Sequence, residues 1–208
     1  MTGSSSFRIL TVCTGNMCRS PQAAQLLQSR VSAAGRSVAA QVEIASAGTR
    51  AVPEAEMDPS AAELSREMGG APTPHSAQQL TPQMVAAADL VLCMSREHRS
   101  TTVRLWPRAS RCTFLLTEFA GLLEDFARNQ PLDGPTFDAA GSLPDQLRRG
   151  VRAAASRRGQ APRDLFCRAE IVDPHRAEAA VYRESAAQVQ QAVERICRAT
   201  GEIWELRP

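Results

Sequence analysis

The 208-residue chain has no lysine: all 24 of its basic side chains are arginines. Set against 22 acidic residues, they leave a formal net charge of only +2. A surface built to hold nucleic acid or an anionic membrane carries a larger excess and normally uses both cations, so neither partner is expected. No apolar run approaches the ~20 residues needed to span a bilayer. The opening MTGSSSFRILTV lacks the charged segment and long apolar core of a secretion signal, and the reading is a cytoplasmic protein. Six cysteines are too few for a disulfide scaffold in a chain of this length. There is no Cys-x-x-Cys pair and no close cysteine–histidine set. A zinc site is therefore not expected, and no other metal or cofactor is called for. Cys93, Cys112, Cys167 and Cys197 lie in or beside apolar stretches and read as small buried hydrophobes.

What is present fits a single globular domain, with 43% apolar and 22% charged residues. FRILTV (7–12), QVEIAS (41–46), DLVLCM (89–94) and CTFLL (112–116) are short, apolar and β-branched, and they read as buried strands. Helical stretches separate them. Ser20-Pro21 looks like an N-cap followed by proline at the first helical position, opening a helix that Gly35 stops. Further helices are expected over 59–68, 82–87, 96–105 and 118–127. Strands alternating with helices predict an α/β fold: a four-stranded parallel sheet with helices on both faces, three layers in all.

Residues 129–162 differ, with Asn-Gln-Pro, Asp-Gly-Pro and Ala-Gly marking loops. Within them, Leu143, Leu147 and Val151 recur every four residues and predict one amphipathic helix. Its other face bears Arg148, Arg149 and Arg152, with Arg157 and Arg158 beyond, and reads as solvated. The last helix, about 178–199, turns Tyr182, Ala186, Val189, Val193 and Ile196 to one side.

Ligands of parallel sheets bind at the carboxyl ends of strands, which is where VCTGNMCRSP (12–21) falls. Gly15 gives the loop backbone freedom, and the helix that follows turns its first amides back toward it. Such amides and the positive helix end hold phosphate-like anions. Arg19 adds a planar two-pronged contact to a tetrahedral oxyanion. A helix N-terminus and a nearby cation favour thiolate over thiol. Cys13 then sits beneath a bound phosphate, placed to attack phosphorus.

The spacing Cys-x5-Arg-Ser with Gly15, Asn16, Cys18 and Pro21 resembles the signature of the low-molecular-weight protein tyrosine phosphatases. SAGT (46–49), DPSA (58–61), HSAQQL (75–80), DLVLCM and VDP (172–174) follow in the family's order. The resemblance spans nearly the whole chain apart from about 121–166. It implies the flavodoxin-like fold of that family, with 121–166 as an insertion in one domain of 1–208. It also implies roles: Cys13 as nucleophile, Arg19 gripping the phosphate, and Asp173 as general acid and then base, with Pro174 stiffening its loop. Ser20 would donate to the Cys13 thiolate, while Asn16, Ser46 and His75 hold the loop in shape. Thr14, Gly15, Asn16, Met17, Cys18, Arg19 and Ser20 would surround the substrate phosphate, with Met17 either filling the loop or walling the pocket. Cys18 either fills the loop or forms a reversible disulfide with Cys13. The implied partner is a phosphotyrosine-containing protein or another phosphomonoester, and free phosphate or sulfate would fit the same loop.

The chain departs from the family at several points. Ala24 and Ser95 stand where a glutamate and an aspartate are common. His175 and Arg176 replace the aromatic residues that usually follow the Asp-Pro pair and help to form the slot for a phosphotyrosine ring, leaving His175 as the candidate to stack on it. The segment at 121–166 reads as surface elaboration, with a rim over the site or a dimer surface as the other readings. Two other functions share the scaffold: an arsenate reductase coupled to thioredoxin, and a phosphate-binding module without catalysis.

Overall fold

The computed structural model describes residues 6–71, 74–129, 141–161 and 170–205, with side chains as far as Thr200. Four strands form the sheet: β1 (Phe7–Cys13), β2 (Val42–Gly48), β3 (Leu90–Cys93) and β4 (Thr113–Leu115). They lie in the order β2-β1-β3-β4, and every pairing is parallel. The helices are α1 (Arg19–Ala33), α2 (Arg36–Ala39), α3 (Pro59–Glu67), α4 (Pro82–Ala87), α5 (Arg96–Leu105), α6 (Leu116–Arg128), α7 (Leu143–Arg157) and α8 (Ala179–Glu205). The four expected strands and the two-sided helical cover are all present.

Strand alternation divides the core. Phe7, Ile9 and Cys13 of β1 enter one cluster with residues of α1, α6, α7 and α8. Leu10 and Val12 enter another with Val85 of α4, Ala109 and Leu115. Buried on both faces, β3 and all of β1 but Arg8 read as continuous, mostly apolar runs, whereas the edge strand β2 exposes Glu43 and Ala45. The stripe on α8 faces the core as expected: Val189, Val193 and Ile196 are buried in the larger cluster. Each such side chain contributes about 1.5–3 kcal/mol relative to exposure.

Two expectations need correction. Ser20 does not cap α1. The helix begins two residues earlier, at Arg19, and its N-cap is Cys18, which makes no side-chain cap bond. The Ser20 hydroxyl is engaged elsewhere, so its competition for a cap position is lost to tertiary contacts.

The helix within 121–166 is not surface elaboration. Leu143, Leu147, Val151 and Ala154 of α7 join the main core cluster. Much of its arginine face is also pinned rather than solvated. Arg148 Nε donates to Asp89 Oδ1 at 2.8 Å and its Nη2 to the Ser6 carbonyl at 2.8 Å. Arg157 Nε lies 2.7 Å from Asp125 Oδ2. The Arg158 guanidinium sits 3.8 Å over the Phe114 ring and donates to the carbonyls of Ser110 and Thr113. Arg152 is exposed, as expected. These contacts fasten α7 to β1, β3 and α6 near the amino ends of the strands, away from Cys13. Cys167, expected to be buried, lies outside the described residues.

Candidate active site

Cys13 closes β1 and is 2% exposed. The chain then climbs through residues 14–18 into α1. The end of β2 and the residues after it brace this loop: Thr49 N donates to the Cys13 carbonyl and Arg50 N to the Thr14 carbonyl, each at 2.9 Å. Close passage requires Gly48. A Cβ there would stand 2.5 Å from the Thr14 carbonyl oxygen and 3.0 Å from Asn16 N.

Asn16 is the hub of the loop. It is fully buried and takes φ 58°, a left-handed conformation that asparagine tolerates better than most residues. Its Nδ2 donates to Ser20 Oγ and to Ser46 Oγ, both at 2.9 Å. Its Oδ1 accepts from Gln78 N at 2.9 Å, and its carbonyl accepts from His75 Nε2 at 2.6 Å. Its own backbone N–H donates to Cys13 Sγ at 3.3 Å.

Ser20 Oγ lies 2.9 Å from Cys13 Sγ. Because it already accepts from Asn16, its single hydrogen is left for the sulfur or for the Ala47 carbonyl at 3.4 Å, and the sulfur is nearer. The network therefore aims two donors, Asn16 N and the Ser20 hydroxyl, at Cys13.

Arg19, 5% exposed, opens α1. Its Nη2 sits 2.6 Å from Asp173 Oδ2 and its Nη1 3.4 Å from the Ile171 carbonyl. The Asp173 segment is tied to the fold at both sides. Ile171 N donates to the Met94 carbonyl at the end of β3, and Val172 N to Gln188 Oε1 on α8. Pro174 is buried, while the Asp173 side chain is 54% exposed. His175 is exposed on the rim, and its backbone N–H donates to Asp173 Oδ1 at 3.2 Å.

Cys18 is built differently from Cys13. It packs with Met57, Ala61 and Tyr182, and half-buried Met17 borders the same cluster. Burial, reinforced by the Asp58 carboxylate and Cys13, pushes its thiol up to about 12. Asp58 binds this corner together: its N–H donates to the Met17 carbonyl and its Oδ2 accepts from the Tyr182 hydroxyl at 3.0 Å.

The residues singled out from the sequence thus converge. Cys13, Asn16, Ser20, Ser46 and His75 form one connected network. Thr14, Arg19 and Asp173 line a recess of about 460 Å³ that also takes in Ser95, Glu97, His98 and Glu170. Ser95 caps α5, its Oγ accepting from His98 N at 3.3 Å. His98 escaped sequence reasoning, since a lone histidine in a helix carries no motif; its place one turn after a strand's carboxyl end was the available signal. The residue is 2% exposed, and burial together with the Arg19 charge pushes its ring down to about 4. Among the described residues, no group of three or more His, Cys, Asp or Glu side chains is placed to hold a metal ion. No helix among them is long and apolar enough to cross a membrane.

In chemical terms the site is a thiol contacted by a backbone amide and a serine hydroxyl, with a buried cation and a solvent-facing carboxylate lining the adjoining recess. Comparison with known proteins agrees. The profile of the low molecular weight phosphotyrosine protein phosphatases matches residues 8–138. The probable low molecular weight protein-tyrosine-phosphatase AmsI of Erwinia amylovora is 36% identical over 107 residues, 51% of this chain and 69% of that protein. A protein-arginine-phosphatase of Geobacillus stearothermophilus is 36% identical over 130 residues, 62% of this chain and 81% of that protein. The crystal structure of the Erwinia tyrosine phosphatase AmsI shares the fold with a TM-score of 0.63 at 23% identity, over 96% of both chains. The chain belongs to the low molecular weight phosphotyrosine protein phosphatase family and is a cysteine-based phosphatase that acts on phosphorylated substrates.

Proposed function

We propose that the protein hydrolyses phosphotyrosine in proteins through a cysteinyl-phosphate intermediate. The observation that carries this reading is the Cys13 sulfur held by Ser20 and Asn16 beside the Arg19–Asp173 pair. The Cys13 thiolate attacks phosphorus, an S–P bond forms, and the P–O bond to the leaving phenol breaks. Asp173 gives that oxygen its proton. Water then attacks phosphorus, Asp173 takes the water's proton, and phosphate leaves with the thiolate restored. Arg19 and the loop amides carry the charge on the equatorial oxygens. Half-buried Met17 supplies an apolar wall for a ring, and His175 on the rim is the stacking candidate. The protein is read as cytoplasmic, with no nucleic-acid or membrane partner.

A second reading is favoured by specific observations. Glu97, Glu170 and Asp173 all border the recess, where a guanidinium leaving group would be welcome, and a close relative is named a protein-arginine-phosphatase. An arsenate-reducing relay is disfavoured. Cys93 is fully buried within β3 against Thr102, and burial pushes its thiol up to about 12.

The test is turnover of p-nitrophenyl phosphate and of matched phosphotyrosine, phosphoserine and phosphoarginine peptides, with Cys13→Ser alongside. Retained activity in Cys13→Ser sinks the nucleophile assignment. Preference for the phosphoarginine peptide replaces the first reading with the second.

A further inference from the structure

Thr14 and His98 stand outside the network that holds the thiol. His98, on the first turn of α5, places Nε2 at 2.9 Å from Thr14 Oγ1. Its Nδ1 is buried and has no hydrogen-bond partner among the described residues. The Thr14 backbone is clamped by the same neighbourhood. Its carbonyl accepts from Arg50 N, and the Arg50 guanidinium lies 3.5 Å from Glu97, the residue before His98.

The contact can be made in two ways. If Nδ1 carries the ring hydrogen, a buried N–H is left unpaired and the Thr14 hydroxyl spends its hydrogen on Nε2. If Nε2 carries it, the unpaired atom is a lone pair and Thr14 becomes the acceptor. Orphaned buried N–H groups are rarer in folded proteins than under-used acceptors. The doubly protonated ring is ruled out near neutrality, because burial and Arg19 keep it neutral. In the Nε2–H arrangement the Thr14 hydroxyl hydrogen has no acceptor among the described residues, and Thr14 borders the same recess as Arg19 and Asp173.

We infer that His98 is a positioning residue: by donating from Nε2 it fixes the Thr14 hydroxyl as a hydrogen-bond donor to an oxygen of the phosphorylated substrate in this recess. This rests on the phosphatase reading of the site and adds a side-chain donor to the loop amides and Arg19. His98 reaches the substrate only through Thr14. A neutral hydrogen bond of this kind corresponds to about threefold to tenfold in kcat/KM or affinity.

The experiment uses the full chain with ¹⁵N-labelled histidine. NMR of the imidazole nitrogens, assigned with His98→Gln, is expected to show the Nε2–H tautomer at neutral pH; an Nδ1–H tautomer overturns the inference. In parallel, kcat/KM for p-nitrophenyl phosphate and the affinity for inorganic phosphate are measured in Thr14→Val, Thr14→Ser, His98→Leu, His98→Gln and the Thr14→Val/His98→Leu pair. Thr14→Val and His98→Leu should each lose about threefold to tenfold, and the double variant no more than the worse single one. Thr14→Ser and His98→Gln, which keep a hydroxyl and an N–H donor, should recover most of the loss. Multiplying effects in the double variant, or losses in melting temperature with both kinetic and phosphate readouts unmoved, would make the pair merely structural. Absence of turnover in the parent would sink the catalytic reading instead, and the tautomer and phosphate affinities would still decide the role of His98.

Discussion

Asp173 Oδ2 lies 2.6 Å from Arg19 Nη2, so the side chain assigned as general acid is also the counter-ion of the side chain assigned to grip phosphate. An incoming oxyanion competes with Asp173 for that guanidinium. Neutralising the carboxylate removes both the competitor and the proposed acid, and the two effects separate in kinetics. Asp173→Asn should lower kcat on an ester with a poor leaving group by ~10² to 10⁴. The same variant should tighten inhibition by inorganic phosphate, by about threefold to tenfold for loss of one nearby anion in a partly solvated site. A rise in the phosphate inhibition constant would contradict the competition.

His98 makes stability depend on pH. Its ring is neutral in the fold, pushed down to about 4, whereas the unfolded chain titrates near ~6.5. Its contribution is fully present above about 6.5. As pH falls from there, the unfolded state takes up a proton that the folded state refuses, and stability drops until the folded ring also titrates near 4. At pH 5 the loss is about 2 kcal/mol. Melting temperature measured from pH 7.5 to 4.5 should fall more steeply for the parent than for His98→Gln.

Cys18 should resist modification. With its thiol at about 12 and its side chain packed against Tyr182 and Met57, it stays protonated and covered near neutrality. Iodoacetamide at pH 7 followed by peptide mass spectrometry should leave Cys18 unlabelled. If Cys18 also serves as the redox partner proposed for Cys13, peroxide-driven disulfide formation should accelerate as pH rises from 7 to 9, because attack needs the Cys18 thiolate. Asp58→Asn, which removes an anion that opposes that thiolate, should accelerate it further. A rate flat across this range would point to packing as the only role of Cys18.

Gly48→Ala should disable the loop without unfolding the sheet. The added methyl would stand 2.5 Å from the Thr14 carbonyl oxygen, a contact only backbone movement relieves. The carbonyl it displaces accepts from Arg50, and the loop it moves carries Asn16. A displacement on the scale of 1 Å costs on the order of 10² in turnover. Circular dichroism should remain that of the parent. Turnover within threefold of the parent would show that the loop yields freely.

Strand positions were legible because each strand is short and bounded by turn residues, and because burial on both faces leaves β3 and β4 a continuous hydrophobic signal. The candidate loop was legible because Cys13, Asn16, Arg19 and Ser20 are chemically distinct residue types at a fixed spacing, whereas the left-handed turn falls on Asn16 rather than on Gly15. Ser20 misled as a cap, since a serine before proline has the same local appearance whether its hydroxyl turns to the helix amides or to a cysteine. The contacts of α7 were hidden for a related reason. A helix with leucine on one side and arginine on the other reads as half solvated, and nothing local reveals that Asp89, Asp125 and Glu118 wait on other elements to receive those arginines. His98 is the same problem at the site: its partner lies 84 residues away in sequence.

Every N–H of Asn16 and both of its oxygens are already engaged within the protein, from the Cys13 sulfur to Gln78 and His75. A loop fastened this way has little conformational freedom left to lose when an anion arrives. Capture of phosphate is then limited by diffusion and by the exchange of water for amides, so association should be fast and nearly independent of solvent viscosity beyond the diffusive term, with no slow closing phase in stopped-flow records.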